Sequence, residues 1–87
     1  MKIRMRPIEV LVWFQTDREP QPLKFNIESK EGGQVSVKVE QIIGVTENKF
    51  AGNPMNVYKC KAEIGGKMRP FELRFEKKTR KWFLYKI

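Results

Sequence analysis

Apolar and polar side chains alternate along almost the whole of this chain, and no window holds a sustained helical period. A period of two belongs to β-strands with one buried face, because successive side chains leave a strand on opposite sides. Ile8, Val10, Val12 and Phe14 make one face of a first strand. Leu23, Phe25 and Ile27 make one face of a second, and Val35, Val37 and Val39 of a third. Between Glu40 and Gly44 the phase reverses, with Ile42 and Ile43 adjacent. One extra residue, as a bulge or sharp bend, produces such a reversal. Tyr58, Cys60, Ala62 and Ile64 follow, then Phe71, Leu73 and Phe75, then Phe83, Tyr85 and Ile87. The punctuation agrees: Asp17 to Pro22 carries two prolines and reads as a loop, and Gly32-Gly33 separates two strands. The polar stretch over residues 46–51, ahead of Gly52-Asn53-Pro54, is the one place for a short helical turn. The expected architecture is mainly β. About six antiparallel strands form a meander bent into a small, partly closed barrel. The 87 residues make one domain, 1–87, with residues 1–6 as a flexible basic tail.

The last third can be read to the register. If Gly65-Gly66 is a two-residue hairpin turn, Cys60 falls opposite Phe71 and Tyr58 opposite Leu73. A turn through Lys78, Thr79 and Arg80 would then set Phe75 against Phe83 and Leu73 against Tyr85. That register gathers Tyr58, Cys60, Phe71, Leu73, Phe75, Phe83, Tyr85 and Ile87 on one inner face. It leaves Val57, Lys59, Lys61, Glu72, Arg74, Glu76, Trp82, Leu84 and Lys86 outside. Glu72 would lie between Lys59 and Lys86, pairing some of the positive charge across strands. Trp82 and Leu84, with Leu11 and Trp13 opposite the Val10 face, must be covered by a second layer of the barrel or form a contact surface.

Size and composition set limits on the rest. A chain of 87 residues buries roughly 60% of its unfolded surface, and a 40% apolar content supplies enough core. The single cysteine, Cys60, allows no internal disulfide and suits a reducing compartment. The longest apolar run, Val10 to Phe14, falls far short of the roughly 20 residues that span a bilayer. The opening MKIRMRPIEV lacks the apolar core and cleavage site of a signal peptide. No membrane association is expected, and the cytoplasm is the expected location.

The machinery of catalysis is missing. With no His there is no imidazole base, and one Cys without His cannot build a structural zinc site. Cys60 lies on the inner face, where it acts as a small hydrophobe. The glycine pairs are turn glycines without the spacing of a phosphate loop. The chain reads as a non-enzyme with no cofactor and no metal.

Charge points elsewhere. Eighteen basic residues against ten acidic ones give +8. Residues 59–87 hold ten basic and three acidic side chains, a net of +7, whereas residues 1–58 hold eight against seven. A concentrated positive field draws polyanions, and small β-barrels hold single strands by stacking bases on rings while Lys and Arg track the phosphates. The candidate nucleic-acid-binding residues are Lys59, Lys61, Arg74, Lys77, Lys78, Arg80, Lys81, Trp82 and Lys86. Lys2, Arg4 and Arg6 would join them if the tail folded over.

Several segments together resemble an uncharacterised family of small bacterial proteins. They are PIEVLVWF, PLKF, KFAGN, YKC, FELRF and the closing KWFLYKI, and they run from about Pro7 to the C-terminus. Members of that family are encoded beside Y-family (translesion) DNA polymerases or appended to them. The resemblance implies an accessory role near DNA, in DNA repair, and supplies no functional residues. Two readings follow. One is a non-enzymatic accessory module that binds nucleic acid, single-stranded or distorted DNA, through the basic C-terminal meander. The other is an adaptor that contacts a DNA-processing protein such as a polymerase through Leu11, Trp13, Trp82 and Leu84, without touching nucleic acid.

Overall fold

A computed structural model of the protein describes residues 1–29 and 31–87. Seven strands follow one another: β1 (Ile3–Trp13), β2 (Gln21–Glu28), β3 (Gln34–Lys38), β4 (Gln41–Phe50), β5 (Asn53–Ile64), β6 (Lys67–Glu76) and β7 (Lys81–Lys86). All neighbours are antiparallel, in the order β3-β2-β1-β7-β6-β5-β4. The sheet curls until β3 touches β5, giving a half-barrel with its apolar face inside. Phe25, Val37, Tyr58, Cys60, Ala62, Phe71, Leu73, Phe75, Trp82 and Leu84 fill that concave side.

The phase reversal after Val39 is a bulge. The register of β4 on β5 slips between Ile42 and Gly44, so that Ile42 faces Cys60 while Ile43 is left exposed. Gly65 and Gly66 both hold positive φ, and the expected pairs Cys60–Phe71 and Tyr58–Leu73 form. A two-residue turn whose twist matches the strands needs this backbone, and glycine adopts it without a Cβ penalty.

Three expectations are corrected. Residues 3–6 belong to β1 and pair with β7, and Lys2 exchanges backbone hydrogen bonds with Ile87 at 2.8 and 3.1 Å, so there is no free tail. Residues 46–50 continue β4 as strand, and Ala51-Gly52, both at positive φ, closes a hairpin onto β5, so the helical turn expected there is absent; the described residues form seven strands. The third correction is the register of β7. The loop before it holds four residues, 77–80, instead of three, and Arg80 adopts a φ of 61° to close it. Phe75 therefore opposes Trp82, and Leu73 opposes Leu84. One added residue exchanges the faces of a strand. Trp82 and Leu84 are core, 7% and 3% exposed, and Phe83 and Tyr85 turn outward.

A second irregularity restores the expected order at the end of β7. The register slips between Glu72 and Leu73, leaving Tyr85 as the extra residue and Glu72 opposite Lys86. The ring of Trp82 meets those of Tyr58 and Phe75, with centroids 5.2 and 4.8 Å apart, and Phe25 meets Phe71 at 5.3 Å. These tilted contacts add to the burial energy of the rings.

Candidate nucleic-acid interface

The outer, convex face of β5, β6 and β7 carries most of the residues of interest. Lys59 and Lys61 alternate with buried Tyr58, Cys60 and Ala62 on β5, so they point away from the core and are exposed. Arg74, between Leu73 and Phe75 on β6, shares that face, but its environment is closed. Its Nε donates to Glu72 Oε2 at 3.2 Å. Its guanidinium lies 3.3 Å from the centre of the Tyr85 ring and 4.4 Å from that of Phe50. A cation held between two rings and a carboxylate is structural as much as it is electrostatic. Met55 and Val57, buried on this same face, complete a small apolar patch outside the main core.

Glu72 is the most buried charged residue among the described residues, 5% exposed. It lies opposite Lys59 on one side and Lys86 on the other, and Lys86 Nζ is 3.9 Å from its second oxygen. Two cations share one carboxylate, and the cluster keeps a net positive charge.

The turn between β6 and β7 is more divided than its sequence implies. Lys77 is not a free cation: its Nζ reaches Glu47 Oε2 at 2.7 Å and Glu19 Oε1 at 3.4 Å, and its amide donates to the Pro54 carbonyl at 3.2 Å. The hydrogen bond to Glu47 raises the ammonium pKa above its ordinary value, and the same bond lowers that of the Glu47 carboxyl. Glu76 accepts from the Thr79 hydroxyl and from Asn53 Nδ2, the latter at 2.7 Å, and these bonds hold its pKa below the usual carboxylate range. Lys78, Arg80 and Lys81 are exposed and make no ion pair among the described residues. Glu72, Glu76, Glu47 and Glu19 are thus occupied by internal contacts, and exposed Glu63 shares the outer face of β5 with Lys59 and Lys61; Lys59, Lys61, Lys78, Arg80 and Lys81 make no ion pair among the described residues.

Of the proposed site residues, the structure removes Trp82 and Leu84 to the core and ties Arg74 and Lys77 into the scaffold. The missed residues are Phe83 and Tyr85, half-buried on the outer face, and Phe50 at the end of β4. The length of the 77–80 loop was the only signal that would have found the first two. Leu11 and Trp13 are exposed, at 55% and 54%, on the outer face of β1. No second layer covers them among the described residues.

Inside the barrel, polar chemistry is used for closure. The loop after β1 folds over the end of the core. Tyr58 donates its hydroxyl to the Pro20 carbonyl, and buried Asn56 donates to Glu19 Oε2 at 2.6 Å. Burial pushes the Tyr58 phenol and the Cys60 thiol each up to about 12, so both are neutral in the folded protein. Among the described residues no three His, Cys, Asp or Glu side chains converge as metal ligands would, and no helix is long and apolar enough to cross a membrane.

Compared with known proteins, the chain matches no family model, no curated protein and no solved structure.

Proposed function

We propose that this protein is a non-enzymatic, cytoplasmic accessory module that binds single-stranded or distorted nucleic acid on the outer face of β5, β6 and β7. The observation that carries this reading is the division of charges. Glu72, Glu76, Glu47 and Glu19 are each engaged by a neighbouring side chain, so Lys59, Lys61, Lys78, Arg80 and Lys81 stand free around an aromatic surface. Phosphates would contact those five residues, and bases would lie against Phe83 and the open sides of Tyr85 and Phe50, two rings that Arg74 braces. The resemblance to proteins encoded beside translesion polymerases agrees with a role near DNA.

Lys59→Gln with Lys61→Gln tests the surface, because both side chains are exposed and the neutral replacement sets no like charge opposite Glu72. Binding of a fluorescent single-stranded oligonucleotide should fall at least about tenfold while the melting temperature stays within about 3 °C of the parent. Unchanged binding by this folded variant would refute the assignment. The exposure of Leu11 and Trp13 favours a second reading, a protein-contact surface on β1. Partner binding there would depend little on salt and would be lost in Trp13→Ala, and oligonucleotide binding would not be.

A further inference from the structure

The other unusual surface lies within the sheet, where β1, between β2 and β7, changes partners. Its second half, from Glu9 to Trp13, pairs with β2, and its first half, from Ile3 to Ile8, pairs with β7. Among the described residues, Ile27 and Glu28 of β2 pair with β3 alone. Two strands therefore diverge from Glu9–Asn26 onward, each with one backbone edge unpaired. A cleft of about 1090 Å³ opens in the fork.

The walls of the cleft are chemically distinct. Ile8, Ile27, Ile64 and Leu84 give it an apolar floor continuous with the core. Arg4, Arg6 and Arg69 line it as well, and none of the three forms an ion pair among the described residues. Arg4 and Arg6, two residues apart, share the face of β1 that lines it, and the slip in the register of β1 on β7 between Ile3 and Arg6, with Met5 at a φ of 45°, sets their offset from β7. A non-glycine residue there costs about 1 kcal/mol or more, and such strain persists only where its surroundings hold it. Without the slip, the alternation of a regular strand would still put the two arginines on one face, but at a different offset from β7. Glu9 and Glu28 lie on the rim at the β1–β2 junction, so the positive charge is concentrated at the β7 end.

We infer that the fork is a strand-addition site: an extended, acidic segment of a partner protein inserts between the diverging halves of β1 and β2. Its backbone pairs with the free edge of β1, its apolar side chains rest on Ile8, Ile27 and Ile64, and its carboxylates meet Arg4, Arg6 and Arg69. Main-chain pairing supplies affinity in this mode of recognition and the side-chain pockets supply selectivity. Pro7 has no N–H to donate, so pairing along β1 is confined to Ile3–Arg6. Charged residues beside a free edge also prevent self-association, but edge protection alone does not require an apolar floor behind the charges. This site shares no residue with the proposed nucleic-acid face, so each can fail without the other.

The test is a fluorescein-labelled heptapeptide, Val-Thr-Ile-Thr-Glu-Thr-Glu, whose inward positions are apolar at one end and acidic at the other. Measured by anisotropy against the whole protein, it should bind with a dissociation constant below about 1 mM. The Gln-for-Glu peptide should bind about tenfold or more weakly, as should the Arg6→Glu, Arg69→Glu variant towards the original. N-methylation of alternate peptide amides should abolish binding without changing charge, and a single-stranded oligonucleotide should not displace the peptide. Equal binding by the N-methylated peptide, displacement by the oligonucleotide, or no binding at that limit would each overturn the inference.

Discussion

Replacing Trp82 by Ala tests the register of β7, on which the position of the outer aromatic face depends. With Trp82 inside, the substitution removes a side chain that is 7% exposed and packed against Tyr58 and Phe75. Aromatic-to-Ala changes in cores cost about 3–5 kcal/mol. Two ring contacts of about 0.5–1.5 kcal/mol each place this one towards the upper end. A domain of this length has roughly 4–13 kcal/mol in all, so the loss is a large fraction of it. Each kcal/mol lowers the melting temperature of a small domain by about 4–8 °C, so a fall of at least about 12 °C is expected by calorimetry. Phe83→Ala, on the half-buried outer face, should cost less than half as much. Fluorescence gives an independent reading: in Trp13→Phe the remaining Trp82 should emit in the blue and resist quenching by acrylamide. A melting temperature lowered by less than about 5 °C in Trp82→Ala, together with lost oligonucleotide binding, would refute this register.

The remaining predictions concern the groups that the fold holds in one protonation state or one pairing. Cys60 should not react with a disulfide reagent at about pH 8 until the protein unfolds, since its buried thiol stays protonated there. The folded pKa values of Cys60 and Tyr58 lie above their ordinary 9.0 and 10.0, so the stability they contribute is whole below pH 9 and is lost as pH rises towards about 12. Melting temperatures across that window should fall, less steeply in Cys60→Ala; identical slopes would contradict the assignment. Removing the Glu72 carboxylate leaves Arg74 and Lys86 without their acid. Glu72→Ala should cost up to about 3 kcal/mol in urea unfolding, at the low end for broken buried pairs because both cations keep contact with water. Glu72→Ala and Arg74→Ala should be strongly non-additive, and simple additivity would show that the pair is not coupled.

Strand content, the bulge beyond Val39 and the pairing of β5 with β6 were legible because each has a local sign. These signs are the alternation, the adjacent Ile42 and Ile43, and the twin glycines of a two-residue turn. The facing of β7 was not legible, since Lys-Lys-Thr-Arg contains no glycine to mark its length and a three- or four-residue loop fits it equally well. Both registers bring apolar side chains inward, Phe83 and Tyr85 in one, Trp82 and Leu84 in the other, so the hydrophobic pattern could not choose between them. The bulge at Tyr85 explains why Glu72 still meets Lys86 despite the error. The N-terminal strand was hidden by its arginines: Arg4 and Arg6 sit where a buried strand would show apolar residues, and a cleft lies beneath them. The polar end of β4 resembled a helical turn because that hairpin projects beyond the core and has little to bury. Individual cations were legible as a surplus, but their partners were not. Glu19 and Glu47 reach Lys77 from 58 and 30 residues away in the chain, a distance no local pattern encodes.

The most direct test of the nucleic-acid reading is the salt dependence of oligonucleotide binding by the whole protein. A fluorescent single strand titrated at about 50 and 200 mM salt should bind tightly in the first condition and lose affinity steeply in the second. The log–log slope should be near −0.7 for each phosphate contacted, hence about −3 to −4 for five free cations. No binding at the lower salt, or binding indifferent to salt, would contradict the account and leave the positive charge as a feature of solubility.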